Sequence, residues 1–163
     1  MMRVRRSAML AGSVGLILGV LLTTTLQGPT VAQQPGVGRK VIVPQKSPNT
    51  GLPYSPGILA GGTLYISGHL GRDPVTAQLV PGGIEPETRQ SLANIREVLR
   101  TAGLDFKDVV TVTAYITSFN DFDKFNAVYR EYFPKDRPAR TTVQVVALNA
   151  GAHIELQMIA VKP

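Results

Sequence analysis

The sequence predicts an α+β domain in which one sheet carries two helices on the same face. Three observations predict it. Segments of strand and helix periodicity follow one another as strands, helix, strand, helix, two strands. Val109 to Thr117 alternates cleanly, with Val110, Val112, Ala114 and Ile116 on one face and Thr111, Thr113, Tyr115 and Thr117 on the other. Two strand segments, Thr141 to Leu148 and His153 to Lys162, finish the chain around Asn149-Ala150-Gly151.

The chain opens outside this pattern. Met1 to Arg6 is basic, Ala8 to Leu26 is apolar and uncharged, and Thr30-Val31-Ala32 offers small residues where a signal peptidase reads. The apolar run, about 19 residues, also meets the lower limit for a spanning helix. Residues 1–32 therefore read as a secretory signal or as an uncleaved anchor through residues 8–26, and Arg5-Arg6 adds a weak twin-arginine signature. Both readings put the domain outside the cytoplasm, in the periplasm or secreted. Residues 33–47, with their Pro and Gly, read as a linker to a domain over 48–163.

Within that domain Ile58–Ala60 and Leu64–Ser67 are short strands about Gly61-Gly62, whose glycines suit a turn with positive φ. Gly71–Gly83 holds prolines and glycines and reads as a surface loop. The first helix starts near Pro86, with Glu85 and Glu87 at the positive end of its dipole. Its apolar positions Leu92, Ile95, Val98, Leu99 and Ala102 have helical spacing, and Gly103 stops it. Asn120 is placed to cap a second helix bearing Phe122, Phe125, Val128, Tyr129 and Tyr132, ended by Pro134.

One face of the long strands is apolar and packs on the helices. The other is expected to show Thr111, Thr113, Tyr115 and Thr117, then Thr142 and Gln144, then His153 and Gln157, with Arg140 and Glu155 its only charges. A sheet face open to water usually carries Lys, Glu or Asp, so this neutral face points to burial in another subunit.

Composition narrows the chemistry. There is no cysteine, hence no disulfide, no thiolate nucleophile and no Cys-based metal site. Two histidines, His69 and His153, do not make a His-rich metal centre. Net charge is +6, but Arg3, Arg5 and Arg6 supply half of it, and +3 for the remainder is no nucleic-acid footprint. Arg140 is a fork suited to a carboxylate or equally to an interface salt bridge. Glu155, alone in an apolar strand, holds a water or merely neutralises an arginine. Ser67-Gly68-His69 lacks the surroundings of a nucleophile elbow and does not make a triad.

A series of motifs then carries a resemblance: Pro53-Tyr54-Ser55-Pro56, Ile66-Ser67-Gly68, Gln90-Ser91-Leu92-Ala93-Asn94, Ala102-Gly103-Leu104, Asn120-Asp121-Phe122, Asn126-Ala127-Val128-Tyr129, Pro138-Ala139-Arg140 and Ile154-Glu155-Leu156. From about Val43 to Lys162 the chain resembles the RidA (YjgF) family of reactive-intermediate deaminases. The resemblance implies a chorismate-mutase-like fold with one mixed sheet, and a homotrimer with pockets between subunits. It implies hydrolysis of 2-imino acids or their enamine tautomers, such as 2-aminoacrylate, to 2-keto acids and ammonia, without metal or organic cofactor. It also implies roles: Arg140 pairs with the substrate carboxylate, and Glu155 places the attacking water with the backbone carbonyl of Thr142. Tyr54, Ser67, Gly68 and Asn126 match other pocket positions. The chain departs from the family at Leu52, where Gly is expected before the proline, at His69, where Gln is common, and at Thr142, where Cys is frequent.

Two other functions stay on the page: a non-catalytic module for small carboxylates, and the ribonuclease activity ascribed to some relatives, which export and the low charge disfavour. Register adds a constraint. A simple hairpin of the last two strands would set Glu155 roughly 17 Å out of step with Arg140 at about 3.3 Å per residue. The family's strand order puts Val109–Thr117 between those strands instead. Neither pairs the two charges within one sheet, so a pocket shared by them is expected to close across a subunit boundary.

Overall fold

The computed structural model describes residues 38–45 and 51–163, all within one compact unit, Pro35–Pro163. Residues 1–32, expected to be a secretory signal or an anchor, lie outside the described residues. Among the described residues no helix is long and apolar enough to cross a membrane.

Six strands form one sheet: β1 (Arg39–Ile42), β2 (Gly57–Ala60), β3 (Thr63–Leu70), β4 (Val109–Ile116), β5 (Ala139–Gln144) and β6 (Ile154–Val161), in the order β1-β2-β3-β6-β4-β5. Helices α1 (Ile84–Thr101) and α2 (Phe122–Tyr132) follow β3 and β4. The β4–β5 pair is parallel and the others are antiparallel, so the sheet is mixed. Because β6 runs antiparallel to both β3 and β4, those two strands are parallel to each other with the C-terminal strand inserted between them. α1 and α2 serve as the crossovers that parallel strands require.

Strand and helix periods decide the core. Leu64 and Ile66 from β3, Val112, Ala114 and Ile116 from β4, and Ile154, Leu156, Met158 and Ala160 from β6 are all buried. Against them pack Leu92, Ile95, Val98 and Leu99 of α1 and Phe125, Val128 and Tyr129 of α2, in one cluster. Each such side chain contributes roughly 1.5–3 kcal/mol by leaving water. α1 ends through Gly103 at φ 76, the left-handed conformation a glycine C-terminus supplies.

Several local expectations change. Arg39–Ile42, within the stretch read as linker, is the edge strand β1, and Ile42 is buried in the core. The β-branched run Val41-Ile42-Val43 outweighs the flanking Gly and Pro there. Val110 is exposed, because the β4–β6 ladder shifts register between Val109 and Thr111 and hands the buried position to Val109. Ser118, not Asn120, supplies the cap: its Oγ accepts from Asn120 N and opens the short 3-10 turn Phe119–Asp121 that leads into α2. Thr142 and Gln144 lie on the helix side, since Ala114 faces Thr142 and Ile116 faces Gln144 across the ladder. His153 turns to α1, its Nδ1 2.7 Å from Oε1 of buried Glu87, whose other oxygen accepts from His153 N.

Two glycines mark where elements approach closely. A Cβ on Gly57 would lie 2.8 Å from Val98 Cγ1, and one on Gly71 would lie 2.4 Å from the backbone of Glu87. The first neighbour is a side chain that can rotate and the second is a helix backbone that cannot. Urea unfolding is expected to show Gly57→Ala destabilised by about 1–3 kcal/mol and Gly71→Ala by more.

Candidate active site

The predicted site residues fall into two groups. Glu155, the second residue of β6, faces Leu70 of β3 and Tyr115 of β4 and lies on the sheet face away from the helices. Beside it β3 breaks register between Ile66 and His69. The Glu155 carboxyl occupies the space a side chain at Gly68 would need: a Cβ there would sit 1.8 Å from Oε1. Ser67 fastens the neighbouring loop, its Oγ donating to the Ser55 carbonyl at 2.7 Å and its backbone N–H to the Pro56 carbonyl at 3.0 Å. That loop carries half-exposed Tyr54. Tyr54 and Gly68 both border a cleft of about 570 Å³ that runs toward α1 past His69, Gln90 and Asn94.

The second group stands at the β5 edge. Arg140 Nη2 donates to Asn126 Oδ1 of α2 at 2.8 Å. Its guanidinium carbon lies over the rings of Tyr129, Phe125 and Phe122, at 4.5, 5.0 and 5.8 Å from their centroids. Burial lowers its pKa, an effect Tyr129 opposes, and it remains a cation. Among the described residues no Asp or Glu reaches it at salt-bridge distance. Burial likewise pushes the Tyr129 phenol up to about 12, against the pull of Arg140. Among the described residues the buried hydroxyls of Tyr129 and Thr142 find no hydrogen-bond partner.

One chain does not bring the two groups together. Arg140 faces Val112, and Val112 faces Met158, three residues from Glu155. That is roughly 10 Å along the strand and two strand spacings of about 4.8 Å across. Arg140 also springs from the helix face and Glu155 from the open face. The Ser67–His69 pair is no dyad, because the Ser67 hydroxyl is bonded to Ser55. No group of three or more His, Cys, Asp or Glu is arranged to hold a metal among the described residues. Sequence reasoning missed the three rings around Arg140. Their spacing on α2 is what a buried helix face produces anyway, so only the contact distinguishes them.

These features find a counterpart in known proteins. The profile of the family described as Endoribonuclease L-PSP (Ribonuc_L-PSP) matches residues 44–162. The chain belongs to this family, the RidA/YjgF family. The 2-iminobutanoate/2-iminopropanoate deaminase of Bos taurus is 47% identical over 124 residues, covering 76% of this chain and 90% of the relative. Among solved structures, a protein of the Rid family from Yersinia pestis superposes with TM-score 0.73 at 40% identity, covering 76% of this chain and 99% of that one. TdcF of E. coli, solved with bound serine, superposes at 0.71 with 32% identity, covering 76% and 99%. The mixed six-stranded sheet with two helices is the chorismate-mutase-like fold of this RidA/YjgF family.

His69, one of the departures noted above, has a measurable consequence. Burial lowers its imidazole from 6.5 to about 4, with the Pro56 carbonyl opposing in part, and Nε2 has no partner among the described residues. Above pH 6.5 the ring is neutral folded and unfolded; as pH falls toward 4 the unfolded chain takes the proton first. Wild type is therefore expected to lose up to about 3 kcal/mol of stability across that window. Urea midpoints between pH 7.5 and 4.5 should show this component absent in His69→Gln.

Proposed function

We propose that this RidA/YjgF chain hydrolyses reactive 2-imino acids or their enamine tautomers to 2-keto acids and ammonia. The observation that carries the reading is Arg140: a cation that, among the described residues, is bonded only to neutral Asn126 and set over aromatic rings, with N–H donors left for an anion. Two parallel N–H···O bonds match a carboxylate. The deaminase relative adds the reaction class, and TdcF, solved with serine, adds a carboxylate-bearing ligand in a relative.

The chemistry asks little of the protein. An imine carbon is already electrophilic, so orientation, a placed water and proton management suffice. Arg140 holds the carboxylate and fixes C2. Glu155, with the Thr142 carbonyl, holds the water and accepts a proton as its oxygen bonds to C2. The C=N pair moves to nitrogen, which takes the proton held by Glu155 to give a carbinolamine. Glu155 then passes the carbinolamine hydroxyl proton to the amino nitrogen; C–N breaks, ammonia leaves, and the oxygen forms the C=O of the 2-keto acid. Tyr54, Ser67, Gly68 and Asn126 shape the pocket, and the reaction needs no metal or organic cofactor.

Because Arg140 and Glu155 stand apart on opposite faces of one chain, the working site is completed by a second subunit, in a homotrimer. In support, the open face across β3, β5 and β6 meets solvent with the neutral Tyr65, Val143 and Gln157, and its exposed cation Arg39 stands apart on the edge strand β1. The enzyme acts outside the cytoplasm, in the periplasm or secreted, and membrane-bound only if residues 8–26 are retained. Imines formed by amino-acid oxidation suit that location. The endoribonuclease of the family's description is the weaker reading, since +6 falls to +3 after Arg6.

An amino-acid oxidase supplies an imino acid, and its decay is followed with and without the protein. Arg140→Ala is expected to lower kcat/KM by at least about a hundredfold and Glu155→Gln by about 10²–10⁴. Equal rates for wild type and Arg140→Ala would sink the catalytic reading; ligand binding without turnover in wild type or Glu155→Gln would leave a carboxylate-binding module. Sedimentation is expected to give a trimeric mass for wild type and a monomer, inactive, for Thr113→Lys on the open face. A fully active monomer would contradict the shared site.

A further inference from the structure

The reading of Arg140 as a carboxylate clamp requires a long side chain on an edge strand to be held still without its charge being cancelled. We infer that Phe122, Phe125 and Tyr129 form an aromatic seat for the Arg140 guanidinium, with Phe125 and Tyr129 as positioning residues for carboxylate binding. This rests on the role proposed for Arg140 above.

The three rings come from the first, fourth and eighth positions of α2, one stripe of the helix, and Asn126 lies on the same side at the fifth. All three centroids are within the roughly 6 Å over which a ring face attracts a cation, at 4.5 to 5.8 Å from the Arg140 guanidinium carbon. Phe125 is 0% and Tyr129 4% exposed, so the core holds both rings. Phe125 meets Tyr129 at 5.6 Å between centroids, and Tyr129 meets Phe133 at 4.6 Å. Neither ring can swing away without opening the packing beneath it.

A seat of rings differs from a carboxylate partner in two ways. The positive charge survives, because a ring has a quadrupole and no net charge. The hydrogen-bonding edge survives too: of the five N–H donors of a guanidinium, Asn126 takes one at 2.8 Å. Bidentate capture of a carboxylate uses two. Burial from water also strengthens attraction to the ring faces. Among the described residues the buried Tyr129 hydroxyl has no partner, Arg140 included, so the ring and not the oxygen supplies the contact. That separates the seat from a hydrogen-bonding role for the phenol.

The test uses the full-length protein, pyruvate as the carboxylate probe in calorimetry, and the oxidase-coupled assay. Tyr129→Leu is expected to raise the pyruvate Kd and the imino-acid KM about tenfold, while kcat and all values for Tyr129→Phe stay within about twofold of wild type. Tyr129→Leu binding like wild type overturns the seat, and so does Tyr129→Phe failing as badly as Tyr129→Leu. If the Leu variant does not fold, NMR of wild type decides. Arg140 side-chain protons, assigned by their loss in Arg140→Lys, are expected upfield of random-coil positions through ring currents, and random-coil shifts overturn the seat. A wild type that binds pyruvate with the Tyr129→Leu penalty but turns over no imine sinks the deaminase and keeps the seat. Turnover with an unchanged KM in Tyr129→Leu does the reverse.

Discussion

The structure depends on the insertion of the C-terminal strand. β6 lies between β3 and β4 and hydrogen-bonds to both, so neither half of the sheet is joined to the other without it. Its alternation of buried Ile154, Leu156, Met158 and Ala160 completes the surface on which both helices pack. Sequence neighbours thus meet late: β3 and β4 are tied together only by a strand some forty residues beyond β4, roughly the long-range pairing that slows folding through loop closure. Glu155 sits in this strand, which places the one acid of the proposed site on the most constrained backbone in the sheet.

The constraint explains the shape of the site. At Glu155 the neighbouring strand yields, with a register break and a glycine where a side chain would collide with the carboxyl. At the other end of the sheet β5 is an edge strand with its polarity inverted: Ala139 and Val143 face away from the helices, while Arg140, Thr142 and Gln144 face toward them. Arg140 tolerates that side because α2 offers rings and an amide in place of a carboxylate. The structure therefore separates the two charges proposed to act on one substrate, each held by groups that leave it available. Assembly is part of the proposed mechanism for that geometric reason.

Other polar groups named in the sequence analysis have structural employment. Ser67 ties the Tyr54 loop to β3, and Asn94 holds the carbonyls of Leu70 and Arg72. Glu87, expected only to favour the helix dipole, receives His153, the residue before β6, and is almost fully buried. Sequence patterns put these residues in the right elements but could not assign them partners, because the partners lie on segments far along the chain.

The sequence by itself determined what depends on local period: both helices, the turn at Gly61-Gly62, the buried face of β6, and the ordered motifs that mark the RidA/YjgF family. It also held every residue of the proposed site. The tertiary structure alone decided what depends on pairing. It made a strand of Arg39–Ile42, moved the buried position from Val110 to Val109, turned Thr142 and Arg140 to the helix side, and set Glu155 against Gly68. Alternation along a strand is a property of a few adjacent residues. Which face that alternation presents depends on the register and direction of a partner strand, and a one-residue slip reverses it. β5, with polar residues at four of its six positions, contains no local signal strong enough to choose.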